Sequence, residues 1–178
     1  MNELIKLLER LLAQYQYSPA MATVLQSIVD GKWTSIRYKE ILAENGVRLN
    51  SVDFKEECLD VALQFARLCL EDDALSDEEI KGMNMLKRLL FIEEGDFYKY
   101  DRRDAVEGII AAQLYRLYDD NFISYSEGVH KVELQGLFNL SYEQFESIVK
   151  DIAKDALERG ADFINLDTYS IKPQTIES

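Results

Sequence analysis

Apolar residues recur along this chain at the three-to-four-residue spacing of amphipathic helices. Residues 3–16, for example, place Leu4, Leu8 and Leu11 on one side and charged residues opposite. The segment SIRYKEIL at 35–42 also has some β character. The spacing predicts seven or eight helices, at 3–16, Ser18 to Gly31, 35–45, Ser51 through Cys69, Ser76 to about Leu90, a long one ending near Tyr118 after a break at Gly95, one after Ser124, and one from Ser141 to Gly160.

Several of these helices begin at capping motifs. Ser76-x-x-Glu79, Ser124-x-x-Glu127 and Ser141-x-x-Gln144 each have the spacing of a capping box. In a capping box the serine side chain accepts from the third helical N–H, and the acidic or amide side chain accepts from the serine N–H. We therefore expect well-defined helix starts at these three serines.

One stretch occurs twice. Asp72–Phe97 returns 48 residues later as Asp120–Phe145, and six of the 26 aligned positions are identical. The identical residues are an Asp in the turn, the Ser and Glu of the cap, two core Leu and the final Phe. The repeat predicts an all-α bundle built on a duplicated helix–acidic turn–helix core. We expect helices 1–50 to pack on this core (51–160), whose copies span about 52–97 and 100–145, and an irregular tail at 161–178.

The repeated motif resembles a known family. The segments LCLEDDALSDEE, LYDDNFISYSE and LFNLSYEQF are similar to the repeats of the TerB-like (tellurite-resistance) helical domain. The resemblance covers about residues 52–157. It implies a duplicated helical bundle without enzymatic activity, an acidic surface that can bind metal ions, and a role in bacterial stress or defence. The chain departs from the family where a glycine usually follows the turn Asp, because Asp73 and Asn121 stand there.

The net charge of the chain limits the classes of partner that it is expected to bind. The net charge is −13 over 178 residues, which disfavours nucleic acid as a partner and favours a basic protein. Residues 71–96 carry nine acids and three bases, and so hold nearly half of that surplus. The alternative is that these acids only keep the surface solvated. The residues that we expect to form a partner-binding acidic face are Asp72, Asp73, Asp77, Glu78, Asp119 and Asp120.

The same turns are candidates for a divalent cation, because carboxylate oxygens are the ligands that calcium and magnesium use. The set would be Asp72, Asp73, Glu79, Asp120 and Glu127. These turns do not match the EF-hand loop, since Ala74 and Leu75 occupy ligand positions. The competing interpretation is that the acids serve only as turn and cap residues. No other cofactor is expected.

The sequence argues against most enzyme classes. His130 is the only histidine, and no nucleophile motif surrounds it. Phosphate-binding glycine motifs are missing from the sequence. Cys58 and Cys69 both fall on the apolar side of one helix, roughly 16 Å apart, which is too far for a disulfide between them. We read them as small core residues, and we expect a non-enzymatic protein.

The N-terminal segment MNELIKLLERLL is charged and periodic, unlike a signal peptide. No run approaches the ~18 apolar residues of a membrane span. We therefore expect a cytoplasmic protein with no membrane partner. The leading functional hypothesis is an acidic protein-binding module. The alternatives are an immunity or antitoxin protein that neutralises a basic nuclease toxin, and a divalent-cation-binding protein.

Overall fold

The structure, a computed structural model, describes residues 2–72, 75–119 and 132–158. Every regular element in these ranges is a helix, which confirms the predicted all-α class. None of the described helices is both long and apolar enough to cross a bilayer. The nine helical segments of these ranges are α1 (Asn2–Gln14), α2 (Pro19–Val29), α3 (Ser35–Glu44), α4 (Val52–Cys69), α5 (Asp77–Leu89), α6 (Asp96–Lys99), α7 (Arg103–Asp119), α8 (132–137) and α9 (Tyr142–Glu158).

Helix α4 lies at the centre of the described fold. Ten of its 18 residues are buried, including Phe54 and Phe65. It packs against α1, α2, α5 and α7, while α5 also packs against α1, and α9 packs against α7. One cluster of buried apolar side chains runs from Leu4 in α1 to Ile152 in α9. The described helices therefore share a single hydrophobic core.

Gly82 lets α5 approach α1 and α4 closely. A Cβ atom at this position would lie 3.3 Å from Phe65 Cζ and 3.6 Å from Leu4 Cβ. The first of these distances is shorter than an ordinary van der Waals contact. Because protein interiors are close-packed, a side chain larger than that of alanine would push these helices apart.

Two of the predicted capping boxes are confirmed. Ser76 accepts from the N–H of Glu79, and the Glu79 carboxylate accepts from the N–H of Ser76. Ser141 and Gln144 exchange the same pair of bonds at the start of α9. The third predicted box, at residues 124–127, lies outside the described residues, and so do the tail at 161–178 and Gly160.

The prediction of one long helix ending near residue 118 is wrong in one respect, because the structure has two helices there, α6 and α7. Asp101 adopts a left-handed backbone with φ 60°. The N–H of Arg102 then donates to the carbonyl of Phe97 at 2.7 Å, which closes the end of α6. The Arg102 guanidinium pairs with Asp60 of α4 at 2.6 Å. Apolar spacing alone detects neither the left-handed backbone of Asp101 nor the pairing of its neighbour Arg102 with a distant carboxylate.

Helices α5 and α8 end with the same backbone geometry, 48 residues apart. Phe91 and Asn139 both adopt left-handed conformations, with φ 53° and 54°. In both helices the next N–H, of Ile92 or Leu140, donates back five residues, at 2.9 and 3.1 Å. This is the Schellman arrangement, which usually places glycine at the left-handed position.

The correspondence continues into the next helix start. The N–H of Glu93 donates to the carboxylate of Asp96 at 2.8 Å. At the positions 48 residues later, the N–H of Ser141 donates to the side chain of Gln144 at 2.9 Å. Each of these starts is followed by a buried Phe, at 97 and 145.

The Lys87 side chain ties α5 to α8. Its ammonium is buried and only 5% of the residue is exposed. It donates to the carbonyls of Gly136 and Leu137, both at 3.1 Å, and to Asn139 Oδ1 at 2.7 Å. These acceptors lie at the C-terminal end of α8, where a positive charge is favourable. Burial lowers the pKa of Lys87 to about 8.

We predict that Lys87→Met lowers the free energy of unfolding by about 1–3 kcal/mol, because acceptors at the end of α8 lose their donor. Urea denaturation followed by circular dichroism measures this value. Lys81→Met is the matched control on the same helix. Lys81 is exposed, and its ion pair within the described residues is with Glu78, so its loss is expected to lower stability less than the loss of Lys87. Equal effects of the two changes would contradict the capping role.

The pH dependence of the free energy of unfolding gives a second comparison of the wild type with Lys87→Met. The pKa of Lys87 is lowered in the folded state, so between its folded and unfolded values the unfolded chain binds more protons. The contribution of this group to stability therefore rises as the pH increases above about 8. The wild type is expected to gain stability relative to Lys87→Met between about pH 8 and 10.

Both cysteines lie in the core, as predicted, and both are free thiols. Burial raises the pKa of Cys58 to about 12, and it also raises the pKa of Cys69. The thiolate is the reactive form of cysteine, and here it is disfavoured at neutral pH.

A thiol reagent such as dithionitrobenzoate at pH 8 is expected to leave both cysteines of the native protein unmodified, and to modify both in guanidinium chloride. Absorbance of the released thiolate counts the sites. Modification of the native protein at a rate close to that of the unfolded chain would contradict the buried placement of Cys58 and Cys69.

Candidate functional site

The first acidic turn joins the end of α4 to the start of α5. Helix α4 ends at Cys69, and α5 begins after the cap at Ser76. Asp72 lies in the turn, and Asp77 and Glu78 lie in the first turn of α5; all three are exposed. Acidic side chains at a helix start are favourable because the first N–H groups carry partial positive charge.

Glu79 has a structural role in this turn. Its Oε2 accepts from the N–H of Ser76 at 2.8 Å and from the Ser76 hydroxyl at 2.9 Å. Of the predicted metal ligands in the described residues, Glu79 is thus already engaged in a cap, and Asp72 remains exposed.

The acids of the turn differ in how they are paired. Glu71 pairs with Arg10 of α1 at 2.9 Å, and Glu78 pairs with Lys81 at 3.0 Å. The hydrogen bond and the charge of Lys81 lower the pKa of Glu78. Asp72 and Asp77 make no ion pair within the described part of the chain. The exposed ion pairs of Glu71 and Glu78 are weak, so these carboxylates can exchange their partners for the cations of another protein.

Helix α8 brings a further carboxyl group to this site. Burial raises the pKa of Glu133, and the charge of Asp77 raises it further. The two carboxyl groups are therefore close enough to interact, although 56 positions separate them in the sequence. Nothing in the local sequence pattern could have identified Glu133, because only the packing of α8 places it there.

We name the three exposed carboxylates Asp72, Asp77 and Glu78 the acidic end of the α4–α5 pair. The partly buried Glu133 of α8 interacts with it through Asp77. Exposed carboxylate oxygens accept hydrogen bonds and attract cations, and the side chains of Lys and Arg are the protein groups that match them. The arrangement can therefore receive basic side chains from a partner.

The remaining predicted site residues are not placed. Asp73, Asp120 and Glu127 lie outside the described residues. Asp119 closes α7, but its side chain is not described. The second acidic turn therefore stays a prediction, both as part of a partner-binding face and as a source of metal ligands.

No group of three or more His, Cys, Asp or Glu side chains in the described ranges is arranged to hold a metal ion. Three of the five predicted ligands, Asp73, Asp120 and Glu127, fall outside these ranges. The divalent-cation site accordingly stays a prediction that this part of the fold does not test.

Comparison with known proteins found no match: no family model fits the sequence, and neither a curated protein nor a solved structure is significantly similar to it. The resemblance to the TerB-like family therefore stays a prediction.

We predict that Ser76→Ala destabilises the protein by about 1 kcal/mol, because the α5 N-terminus loses its side-chain acceptor and Glu79 loses one donor. The midpoint of urea unfolding, at unchanged slope, measures the loss. The control is Ser147→Ala, an exposed position in the middle of α9, where alanine is expected to be neutral or slightly stabilising. A Ser76→Ala midpoint equal to that of the wild type would show that the cap contributes nothing.

Proposed function

We propose that this chain is a non-enzymatic binding module, and that its acidic end engages a basic surface of a partner protein. The observation that carries the proposal is that two carboxylates of the acidic end have no basic ion-pair partner within the described residues. Asp72 and Asp77 are exposed and make no ion pair within the described residues, and Asp77 also raises the pKa of Glu133. A carboxylate whose charge raises the pKa of a neighbouring carboxyl group contributes to a region of negative potential, which a cationic partner relieves.

The chemistry of the described residues supports a binding role over catalysis. Both thiols are buried and have raised pKa values. Lys87, the buried lysine of α5, is held by three acceptors at the end of α8. Its amine therefore has a structural task and is not presented to a substrate.

We also propose that the core arose by duplication, as in the TerB-like family. Support comes from the two helix ends that share left-handed residues at Phe91 and Asn139. Further support comes from the N-terminal bonds at Glu93–Asp96 and Ser141–Gln144, which share the same offset of 48. A competing explanation is that Schellman ends are common, since α2 and α3 also end this way, at Gly31 and Gly46. The coincidence of this helix end with the following N-terminal bond and the buried Phe, all at the same offset of 48, favours duplication.

We predict that Asp72→Lys/Asp77→Lys/Glu78→Lys weakens binding to the native partner by tenfold or more, because three attractive charges become repulsive. The tagged wild type and this variant are used in parallel to purify partners from the native cell, followed by mass spectrometry. A candidate retained only by the wild type is then purified. Its affinity is measured by calorimetry at low and high salt, and we expect a basic protein whose binding weakens as salt increases.

Glu143→Lys is the matched control, because Glu143 is exposed in the first turn of α9 and its reversal carries the same helix-dipole cost as that of Asp77. This control is expected to keep the partner. A partner that binds the triple variant as tightly as the wild type, or that is insensitive to salt, would overturn the proposal. A basic nuclease that is inhibited on binding would identify the chain as an immunity protein.

A further inference from the structure

The opposite end of the α4–α5 pair carries an apolar pocket. Its walls include Tyr38 of α3, Phe54 of α4, and Leu90 and Phe91 at the end of α5, and its volume is 180 Å³. Helix α4 is about 27 Å long, and the pocket lies at its N-terminal end while the acidic end lies beyond its C-terminus. The two features are therefore separate surfaces.

Large apolar side chains remain exposed around this pocket. Leu49 is 65% exposed, Val52 is 55% exposed and Phe91 is 45% exposed. The Phe91 ring contacts the rings of Tyr38, with centroids 4.9 Å apart, and Trp33, at 6.1 Å. Exposed apolar side chains that cluster around a concavity are typical of an interaction site.

Phe91 occupies a backbone position that disfavours it. Its φ of 53° lies in the left-handed region, where a large side chain is strained by about 1–2 kcal/mol. Asn139 holds the equivalent position at the end of α8 with almost the same φ, and asparagine tolerates that conformation well. A half-exposed ring at a strained position beside a pocket supports a role for Phe91 in binding, in addition to its place at the end of α5.

The charge at the pocket differs from that of the chain as a whole. The chain has a net charge of −13, yet the two charged residues lining the pocket are Lys39 and Lys55. Lys55 donates to the Phe91 carbonyl at 2.6 Å and to Asp96 at 3.0 Å, and an ammonium has three donors. Lys39 is exposed and makes no ion pair within the described residues. Because the charge of Lys55 is balanced by Asp96, Lys39 is the residue through which the rim favours a negatively charged group.

The size of the pocket indicates what enters it. Small-molecule sites usually measure about 300–1,000 Å³, whereas a cavity of about 150 Å³ holds one benzene ring. A volume of 180 Å³ thus suits a single large apolar side chain. Interfaces commonly place one such anchor in a pocket of this kind.

We propose that this pocket docks a segment of a partner protein that presents one large apolar side chain flanked by carboxylates. The side chain fills the space between Tyr38, Phe54 and Phe91, and the carboxylates face Lys39 and Lys55. This goes beyond the proposed function, because it assigns a second surface with the opposite charge preference. A module with both surfaces can bind two partners, or two parts of one partner, at the same time.

The test uses the full chain labelled with ¹⁵N and two short probe peptides. These are acetyl-Glu-Leu-Phe-Glu-amide and acetyl-Lys-Leu-Phe-Lys-amide, which share their apolar residues and differ in flanking charge. We expect the acidic peptide to shift the backbone amides of Lys39 and Phe91 and the indole N–H of Trp33, with saturation. We expect the basic peptide to bind at least tenfold more weakly.

Two variants separate the contributions of the pocket. Phe91→Asn removes the ring and suits the left-handed backbone, so the variant is expected to stay folded while its affinity for the acidic peptide falls by about tenfold or more. Lys39→Glu is expected to weaken the acidic peptide and to spare the basic one. Ile36→Asn is the control, since Ile36 is 69% exposed but does not line the pocket.

Several results would overturn the docking proposal. These are equal binding of the two peptides, unchanged affinity in Phe91→Asn, or shifts confined to residues away from the pocket. Co-sedimentation with phosphatidylserine vesicles that Phe91→Asn abolishes would assign the patch to a membrane surface instead. A dimer that dissociates in Phe91→Asn, seen by analytical ultracentrifugation, would assign it to a second copy of this chain. Asp72→Lys/Asp77→Lys is expected to leave peptide binding unchanged, so the two proposed surfaces are tested independently.

Discussion

Burial of helix α4 on several sides is the constraint on which the described fold depends. Its ten buried residues cannot be covered by one neighbour, so α1, α2, α5 and α7 all pack against it. The close approach at Gly82 fixes α5 beside Phe65 of α4. Once α5 is fixed, the ends of the α4–α5 pair form two surfaces of the described residues, one acidic and one apolar with a basic rim.

The charges at these two ends follow the polarity of α5. Asp77 and Glu78 lie at its N-terminus, where the unpaired N–H groups favour negative charge. Lys55 lies at its C-terminus and donates to the carbonyl of Phe91, where positive charge is favourable. Helix stability accounts for part of this arrangement. It does not account for Asp72, which lies outside the helix, or for Lys39 at the rim of the pocket.

Lysine side chains stabilise two helix ends at which glycine, the usual residue, is absent. Both α5 and α8 end at non-glycine residues with positive φ, Phe91 and Asn139. At each end a lysine from another helix donates to a terminal carbonyl, Lys55 at α5 and Lys87 at α8. The cost is the desolvation of Lys87, which is visible in its lowered pKa. The benefit is that each helix end is attached to its neighbour, so these ends are fixed by tertiary contacts.

The sequence by itself determined the features that arise from short-range physics. Apolar spacing determined most of the described helices and the core positions of Cys58 and Cys69, and the Ser-x-x-Glu/Gln spacing determined the caps at Ser76 and Ser141. Tertiary structure decided the features that join residues far apart in the chain: the Asp60–Arg102 pair at the break between α6 and α7, the nearness of Asp77 to Glu133, the burial of Lys87 and the pocket beside Phe91. The physical reason is the distance along the chain over which each interaction acts. Helical periodicity and capping act over about four residues, whereas a charge pair or a pocket wall depends on which helix faces meet.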